Sequence, residues 1–349
     1  IDVLGYCIRG QQFFENTAVL PASYSEAYRA QAPTDIHILS AKIDNVKRLR
    51  NLTLETGWKS STITTDNASE YEYRDGNNWM PDLKKSNHFQ YHETIHAAYG
   101  SVQTSFQKWS LQGGLRFEQT TYQANQLGNT AVKDSSFSRR YQNLFPTLAA
   151  SFRLDSTSLF SVSAGRRIDR PAFQKLNPFI TIYNKYSYQR GNPYYRPQYT
   201  WNFGLNHTYK NMLVTGMQYS VTTDYFSQLF VTDSTGLVLF TEGNLRRMQN
   251  LGASVSLQLA PLNEWSFSLQ GFVNRKKLEG TVGRSLVANI TQYAFTWNNQ
   301  FHLKKGWTAE LNSTYNSTSQ QDIQEVLDPT GSMSVGLAKT LAREKGRVR

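Results

Sequence analysis

Apolar and polar residues alternate along this chain with the period of two that is typical of β-strands. From Tyr199 to Tyr209 the odd positions are aromatic or aliphatic except for His207, and the even positions are polar or glycine. A longer and less regular alternation runs from Val287 to Leu303. It recurs in the segments that begin at Trp109, Leu251, Trp265 and Trp307. These segments predict an all-β protein.

The predicted strands are longer than those of an ordinary soluble sandwich. Most alternating segments cover roughly ten to seventeen residues, whereas strands of soluble proteins average about five or six. A tilted strand that crosses a bilayer needs about 9–11 residues. Long strands with one apolar and one polar face therefore favour a transmembrane β-barrel, with the apolar face toward lipid and the polar face toward the lumen.

The connections between the predicted strands alternate in length, as in outer-membrane barrels. Short links are predicted near residues 45–51, 105–108, 154–157, 209–212, 261–264 and 304–306. Long outer loops are predicted at roughly 64–87, 124–143, 167–197, 227–248, 275–285 and 319–330. About thirteen antiparallel up-and-down strands lie between them, from near Asp35 to near Leu341. Since open sheet edges are not tolerated in lipid, we expect strands outside this chain to close the barrel.

The composition agrees with a membrane barrel and excludes several other classes of protein. Aromatic residues make up 13% of the chain, with 20 Tyr and 19 Phe, which favours strands and the aromatic belts of membrane interfaces. The net charge of +11 comes from small, scattered basic clusters, so we do not expect a nucleic-acid partner. The single Cys7 excludes an internal disulfide and a multi-cysteine zinc site.

The sequence also carries no recognisable targeting segment or common enzyme motif. It has no run of eighteen apolar residues, no signal-peptide layout at its start and no initial Met. We therefore expect residues 1–349 to be one barrel domain from a longer precursor. A phosphate-binding glycine loop, a nucleophile elbow and a cysteine pair are absent from the sequence. Neither a catalytic residue nor a cofactor is predicted.

One motif would contradict this interpretation if it lay on a helix. The sequence His92-Glu93-Thr94-Ile95-His96 matches H-E-x-x-H, in which two histidines bind zinc and the glutamate acts as a general base. On a strand, residues four apart are separated by about 13 Å and cannot share one zinc ion. The flanking residues alternate with strand periodicity, so we expect a strand with two inward histidines and no metal site, and zinc hydrolysis remains a remote alternative.

Several longer segments resemble a known family. They are NHFQYHETIHAAYG (87–100), GGLRFEQT (113–120), YQNLFPTLAASF (141–152), GRRIDRPAFQKLNPF (165–179) and GNPYYRPQYTWNFGLNHTY (191–209). In this order they resemble the outer-membrane β-barrel family related to TonB-dependent receptors. The short motifs Arg-Pro, Leu-Asn-Pro-Phe and Gly-Asn-Pro are the most specific part of this resemblance.

The resemblance implies a receptor of the Gram-negative outer membrane that is surrounded by lipid and takes up a nutrient such as a metal chelate, a glycan or a peptide. In such receptors an inner-membrane energy transducer of the TonB type releases a plug inside the barrel. The sequence contains no recognisable plug, transducer-binding box or terminal aromatic strand, so we expect the plug and the last strands to lie outside this chain. A passive porin or a surface adhesin is the alternative.

Two groups of residues are candidates for contact with a ligand. Four prolines, which cannot donate a ladder hydrogen bond, are expected to stiffen one outer loop. They are Pro171, Pro178, Pro193 and Pro197. This loop either is rigid architecture or forms a ligand mouth with Arg166, Arg167, Arg170 and Tyr183. Arg116 and Glu118 are predicted to face the lumen, as a solvated structural pair or as a substrate contact.

Overall fold

The computed structural model describes residues 2–18, 24–184, 186–232, 236–341 and 346–348. Its strands are β1 (Asp2–Ala18), β2 (Tyr24–Leu49), β3 (Leu52–Asp75), β4 (Asn78–Pro81), β5 (Asn87–Phe106), β6 (Trp109–Leu127), β7 (Ser135–Arg153), β8 (Ser158–Asp169), β9 (Ile180–Asn184), β10 (Ser187–Arg190), β11 (Gln198–Tyr209), β12 (Leu213–Thr232), β13 (Val238–Leu262), β14 (Trp265–Val282), β15 (Arg284–Leu303), β16 (Trp307–Asn316), β17 (Ser319–Asp322), β18 (Glu325–Leu327), β19 (Thr330–Leu341) and β20 (Gly346–Val348). A single helical turn, α1 (Phe173–Leu176), and a 3-10 turn, Lys304–Gly306, complete the elements of these ranges.

Fourteen of these strands are long, and each pairs antiparallel with the next long strand along the chain. The predicted up-and-down topology is therefore confirmed. The estimate of thirteen strands missed β1, which pairs with β2 along its whole length. In the described ranges β1 and β19 do not pair with each other, so this part of the sheet is open.

The two ends of the sheet differ as the sequence predicts. All six short links connect consecutive long strands at one end. At the other end, the stretches predicted as outer loops are partly strand, because β3 continues to Asp75 and β13 already begins at Val238. These extensions make several strands about twice as long as the 9–11 residues that a bilayer requires. The extended ends therefore project beyond the membrane.

One face of the sheet exposes large apolar side chains in the predicted register. On β11 these are Trp201, Phe203 and Leu205, and on β15 they include Phe295 and Trp297. An exposed apolar surface of this size is typical of a face that contacts lipid or another protein, and here it forms the lipid-facing band.

None of the helices within the described ranges is long and apolar enough to cross a membrane.

The opposite face holds the buried clusters, at the end with the long connections. One cluster contains Phe89, Tyr91 and Tyr122 of the sheet together with Leu176 and Tyr195 from the connection between β8 and β11. A second cluster contains Leu245 and Leu278 of the sheet with Ile323 from the connection between β16 and β19. Both connections therefore fold back onto the inner face, where they narrow that end of the lumen.

Candidate functional site

The connection between β8 and β11, residues 170–184 and 186–197, is the candidate functional element and is called the inward segment below. It contains α1, β9 and β10. All four prolines of this connection lie outside strands, which confirms that part of the prediction. Proline has no backbone N–H group to donate to a neighbouring strand, so the chain turns here instead of extending β8.

Hydrogen bonds tie the inward segment to strands far apart in the sheet. Asn177 Nδ2 donates to Asn67 Oδ1 of β3 over 3.0 Å, and Asn192 Nδ2 donates to the Glu242 carbonyl of β13 over 2.9 Å. These two strands are seven strand spacings apart, about 34 Å along the sheet. A segment of this length reaches both only by crossing the concave side, which is therefore the lumen.

Part of the inward segment also joins the sheet as a strand, at the end with the long connections. Residues Ser187–Arg190 of β10 pair in parallel with Val238–Thr241 of β13. This pairing is parallel, whereas the long strands pair antiparallel. It supplies hydrogen-bond partners for the backbone of the first residues of β13, because β14 pairs with β13 only from Arg247 onward. The segment is therefore fixed by backbone as well as side-chain contacts.

Apolar packing holds the middle of the segment. Tyr195 and Leu176 are almost fully buried against the inner faces of β5 and β6. The Tyr195 ring lies 4.6 Å from the Phe226 ring, centroid to centroid. Burial of the Tyr195 hydroxyl raises its pKa, because the phenolate would lose its hydration. This residue therefore acts as a neutral apolar anchor.

An ion-pair cluster holds the start of the segment. Arg170 Nη2 lies 2.6 Å from Glu118 Oε2 and 2.9 Å from Thr120 Oγ1, and its Nε lies 3.9 Å from Glu93 Oε1. Glu93 and Glu118 are both 7% exposed. Burial alone would lower the pKa of Arg170, but the hydrogen bond and charge of Glu118 outweigh it, so the pKa of Arg170 is raised. Arg170 thus stays charged, pairs directly with Glu118 and lies beside the nearly buried Glu93.

A second ion pair holds the segment on the opposite side of the lumen. Lys175 Nζ lies 3.0 Å from Glu242 Oε1 on β13, and the Glu242 side chain is only 2% exposed. The sequence did not identify either residue, since each is an isolated charge in its own segment. Only the fold brings them together, and no spacing rule connects positions so far apart in sequence.

The residues predicted to form a ligand mouth have different surroundings. Arg170 is occupied by the cluster just described. Arg166 donates to the Leu144 carbonyl over 3.1 Å, and its guanidinium lies 4.8 Å from the Tyr199 ring centroid, so it bridges neighbouring strands. Arg167 is exposed, and it has no side-chain partner among the described residues. Arg167 is therefore the arginine of this group that has its donors available.

Tyr183 lies near the tip of the inward segment, on β9. It is 50% exposed, its hydroxyl donates to the Gln189 side chain on β10, and its ring meets the Phe240 ring edge-on at 5.6 Å. About half of the surface of Tyr183 is therefore open to solvent. Contact of Tyr183 with a ligand remains a prediction.

Arg116 and Glu118 lie together beside the ion-pair cluster. Arg116 Nε lies 2.5 Å from Glu118 Oε1, and its guanidinium lies 5.3 Å from the Tyr99 ring centroid. An open niche of about 420 Å³ adjoins them. It is lined by Tyr99, Ser101, Arg116, Thr147, Arg167 and Arg170. A role for the pair in substrate contact stays a prediction.

The H-E-x-x-H motif lies on β5, so the helix that a zinc hydrolase requires is not present there. The expectation of two inward histidines is wrong, however. Glu93 is the buried member, and His92 and His96 are exposed on the outer face, where His96 stacks on Trp58 at 6.3 Å. In the described part of the chain, no group of three or more His, Cys, Asp or Glu could hold a metal ion.

The hairpin of β17 and β18 is a second inward element that the sequence did not identify. Ile323 at its tip is 7% exposed, and Asp322 accepts hydrogen bonds from the Ser227 hydroxyl and from the Gln228 backbone N–H, the latter over 2.8 Å. The hairpin thus docks on β12 over the intervening strands β13 to β15. A stretch predicted only as an outer loop therefore helps to cover the lumen.

Known structures share this architecture at low sequence identity. The copper transporter OprC is 11% identical with a TM-score of 0.64, and the ferric citrate transporter FecA in its unliganded form is 12% identical with a TM-score of 0.63; each match covers 98% of this chain. The ferric yersiniabactin uptake receptor FyuA from Yersinia pestis is 14% identical over 98% of this chain, with a TM-score of 0.61. The chain spans about half of their length, 54%, 51% and 52% respectively.

The sequence itself carries a family assignment. No curated protein matches it. The model of the outer membrane protein beta-barrel family matches residues 8–349, nearly the whole chain. Together with the lipid-facing band and the antiparallel meander, this match places the protein in the Gram-negative outer membrane. The chain belongs to the outer membrane protein beta-barrel family.

Proposed function

We propose that this chain is the barrel of an uptake receptor that carries a nutrient ligand, such as a metal chelate, a glycan or a peptide, across the outer membrane. In this proposal the full protein also has a plug inside the barrel, and an inner-membrane transducer of the TonB type supplies the energy. The observation that carries the proposal is the inward segment, which crosses the lumen and is anchored on both sides.

The anchored segment favours a gated receptor over a passive porin. A porin conducts through a water-filled lumen, whereas here the inward segment and the β17–β18 hairpin both occupy the outer end of the lumen. Their anchors include ion pairs with nearly buried carboxylates on β6 and β13. A ligand that approaches from outside therefore contacts the inward segment and the hairpin before it can enter the lumen.

The transporter and receptor neighbours support the same proposal at the level of the fold. These neighbours are a copper transporter, a ferric yersiniabactin uptake receptor and a ferric citrate transporter. We infer that this protein likewise binds and moves a ligand without changing it covalently. Arg167 and Tyr183 are the residues of the predicted mouth that we assign to ligand contact, because both are exposed near the lumen.

Uptake by cells that carry the full-length gene tests the proposal. A gene deletion should abolish growth on one limiting nutrient from a panel of metal chelates, glycans and peptides, and removal of the energy transducer should abolish the same growth. Arg167→Ala should reduce uptake at unchanged protein level, with Arg140→Ala, exposed on the outer face, as the matched control. Transducer-independent uptake together with a steady ion conductance in planar bilayers would indicate a passive porin instead.

A further inference from the structure

A group of basic residues lies on the outer face of β13 and β14, just above the lipid-facing band. It consists of Arg247 on β13 and of Arg275 and Lys277 on β14, and it is called the basic patch below. On these two strands the exposed apolar side chains of the outer face end at Leu251 and Val273. Toward the extracellular end, the next outward positions on β14 are Arg275 and Lys277, and on β13 Arg247 follows the neutral Gln249.

The strand register determines on which face these side chains lie and how far apart they are. Leu278 is fully buried against Ile323 on the inner face, so its neighbour Lys277 points outward. Arg275 pairs with Leu251, and Arg247 lies diagonally from Lys277. Diagonal neighbours of this kind are about 7–8 Å apart. The three cations therefore form one compact surface.

One carboxylate lies within the basic patch and leaves it with a net positive charge. Glu279 pairs with Arg247 in the register, and its carboxylate lies 2.5 Å from Lys277 Nζ. Arg275 donates to the neutral side chain of Asn289 over 3.1 Å. Arg246 is also exposed beside Arg247. The outer face of β2 and β3 differs, since it carries Asp35 and Asp66 together with Glu72, which pairs with Arg29.

We propose that the basic patch binds the phosphate groups of the phosphorylated glycolipid in the outer leaflet. Its position directly above the apolar band places it at the level of the lipid headgroups. Arginine presents a planar fork of donors that matches phosphate oxygens, and each basic residue near an anionic lipid surface adds to the attraction. The side of the barrel that carries the basic patch would therefore contact anionic headgroups preferentially.

Retention of this lipid by the purified full-length protein tests the proposal. Arg275→Gln/Lys277→Gln should weaken binding of the bis-phosphorylated glycolipid, supplied in nanodiscs or detected by native mass spectrometry, by at least about tenfold. The control Lys133→Gln/Arg140→Gln removes the same charge from exposed positions elsewhere and should leave binding unchanged. Dephosphorylated glycolipid should bind the unsubstituted protein as weakly as the phosphorylated lipid binds the patch variant.

A second variant changes the binding in the opposite direction. Glu279→Gln removes the carboxylate from the basic patch and should strengthen retention of the phosphorylated glycolipid severalfold. Because a folding defect lowers retention, this gain separates lipid binding from damage to the barrel. Equal retention by the patch and control variants, or weaker retention after Glu279→Gln, would overturn the proposal.

Discussion

Arg170 and Glu118, 52 positions apart in sequence, form a hydrogen-bonded ion pair inside the barrel, in which Arg170 Nη2 lies 2.6 Å from Glu118 Oε2. The pair joins the first residue of the inward segment to the inner face of β6. Its side chains are 21% and 9% exposed, so water screens the interaction only weakly. The start of the segment is therefore fixed by charge, and its middle by the apolar contacts of Leu176 and Tyr195.

Arg170→Ala should release the inward segment without unfolding the barrel. Loss of Arg170 removes the cation beside the nearly buried Glu93 and one of the two cations that pair with Glu118, and breaking a buried ion pair costs about 3–5 kcal/mol in typical cases. Hydrogen exchange in residues 171–184 and 186–197 should accelerate, while β14 and β15 exchange as before. Arg167→Ala is the control, because Arg167 is exposed. The same exchange pattern in both variants would contradict an anchoring role for Arg170.

Trp297→Asp should harm membrane assembly far more than Thr296→Asp. Trp297 is 43% exposed on the lipid-facing band, whereas its neighbour Thr296 points to the lumen. An ionisable side chain facing lipid costs up to about 2–4 kcal/mol near the bilayer midplane, and less for an acid than for a base. The yield of folded barrel in lipid vesicles measures the difference. Comparable yields would show that the assigned faces are wrong.

Ile323→Ala should loosen the β17–β18 hairpin. The side chain fills the cluster formed by Leu245 and Leu278, and truncation of a buried Ile costs about 2–5 kcal/mol. Limited proteolysis should cut the variant within residues 317–329 faster than the unsubstituted protein. Val326→Ala is the matched control, because Val326 in the same hairpin is 55% exposed. Equal cleavage of the two variants would mean that the hairpin is not docked through Ile323.

His92→Ala/His96→Ala should leave the zinc content of the purified protein unchanged. Both histidines are exposed on a strand, where residues four apart are about 13 Å apart. Elemental analysis of the variant and of the unsubstituted protein makes the comparison. A stoichiometric zinc ion that disappears with the two histidines would revive the hydrolase alternative.

The strand pattern and the turns could be predicted because they depend on local chemistry. Lipid-facing strands such as β11 and β15 alternate along most of their length, and the four prolines of the inward segment lie outside strands. The beginning of β2 was missed because Pro33 lies inside this strand, where the pairing of β2 with β3 skips from Gln31 to Thr34.

The face of β5 could not be predicted for a physical reason. Phe89 and Tyr91 are apolar and face inward because the inward segment covers them, so the alternation there has the opposite orientation to that on β15. A hydrophobicity pattern shows that a face is removed from water, but it does not distinguish lipid from protein as the cover. The partners Glu93 and Glu242 were missed for a related reason, since their cations are far away in sequence.

A spin-label scan of β15 tests the assigned faces most directly. Single cysteines at positions 293 to 299 in a Cys7→Ser background would be labelled in the full-length protein and reconstituted in lipid. Labels at positions 293, 295 and 297 should be accessible to oxygen dissolved in lipid, whereas labels at positions 294, 296 and 298 should be accessible to a polar relaxation agent. Accessibility without this period of two, or with the two sets exchanged, would contradict a membrane barrel in the register described.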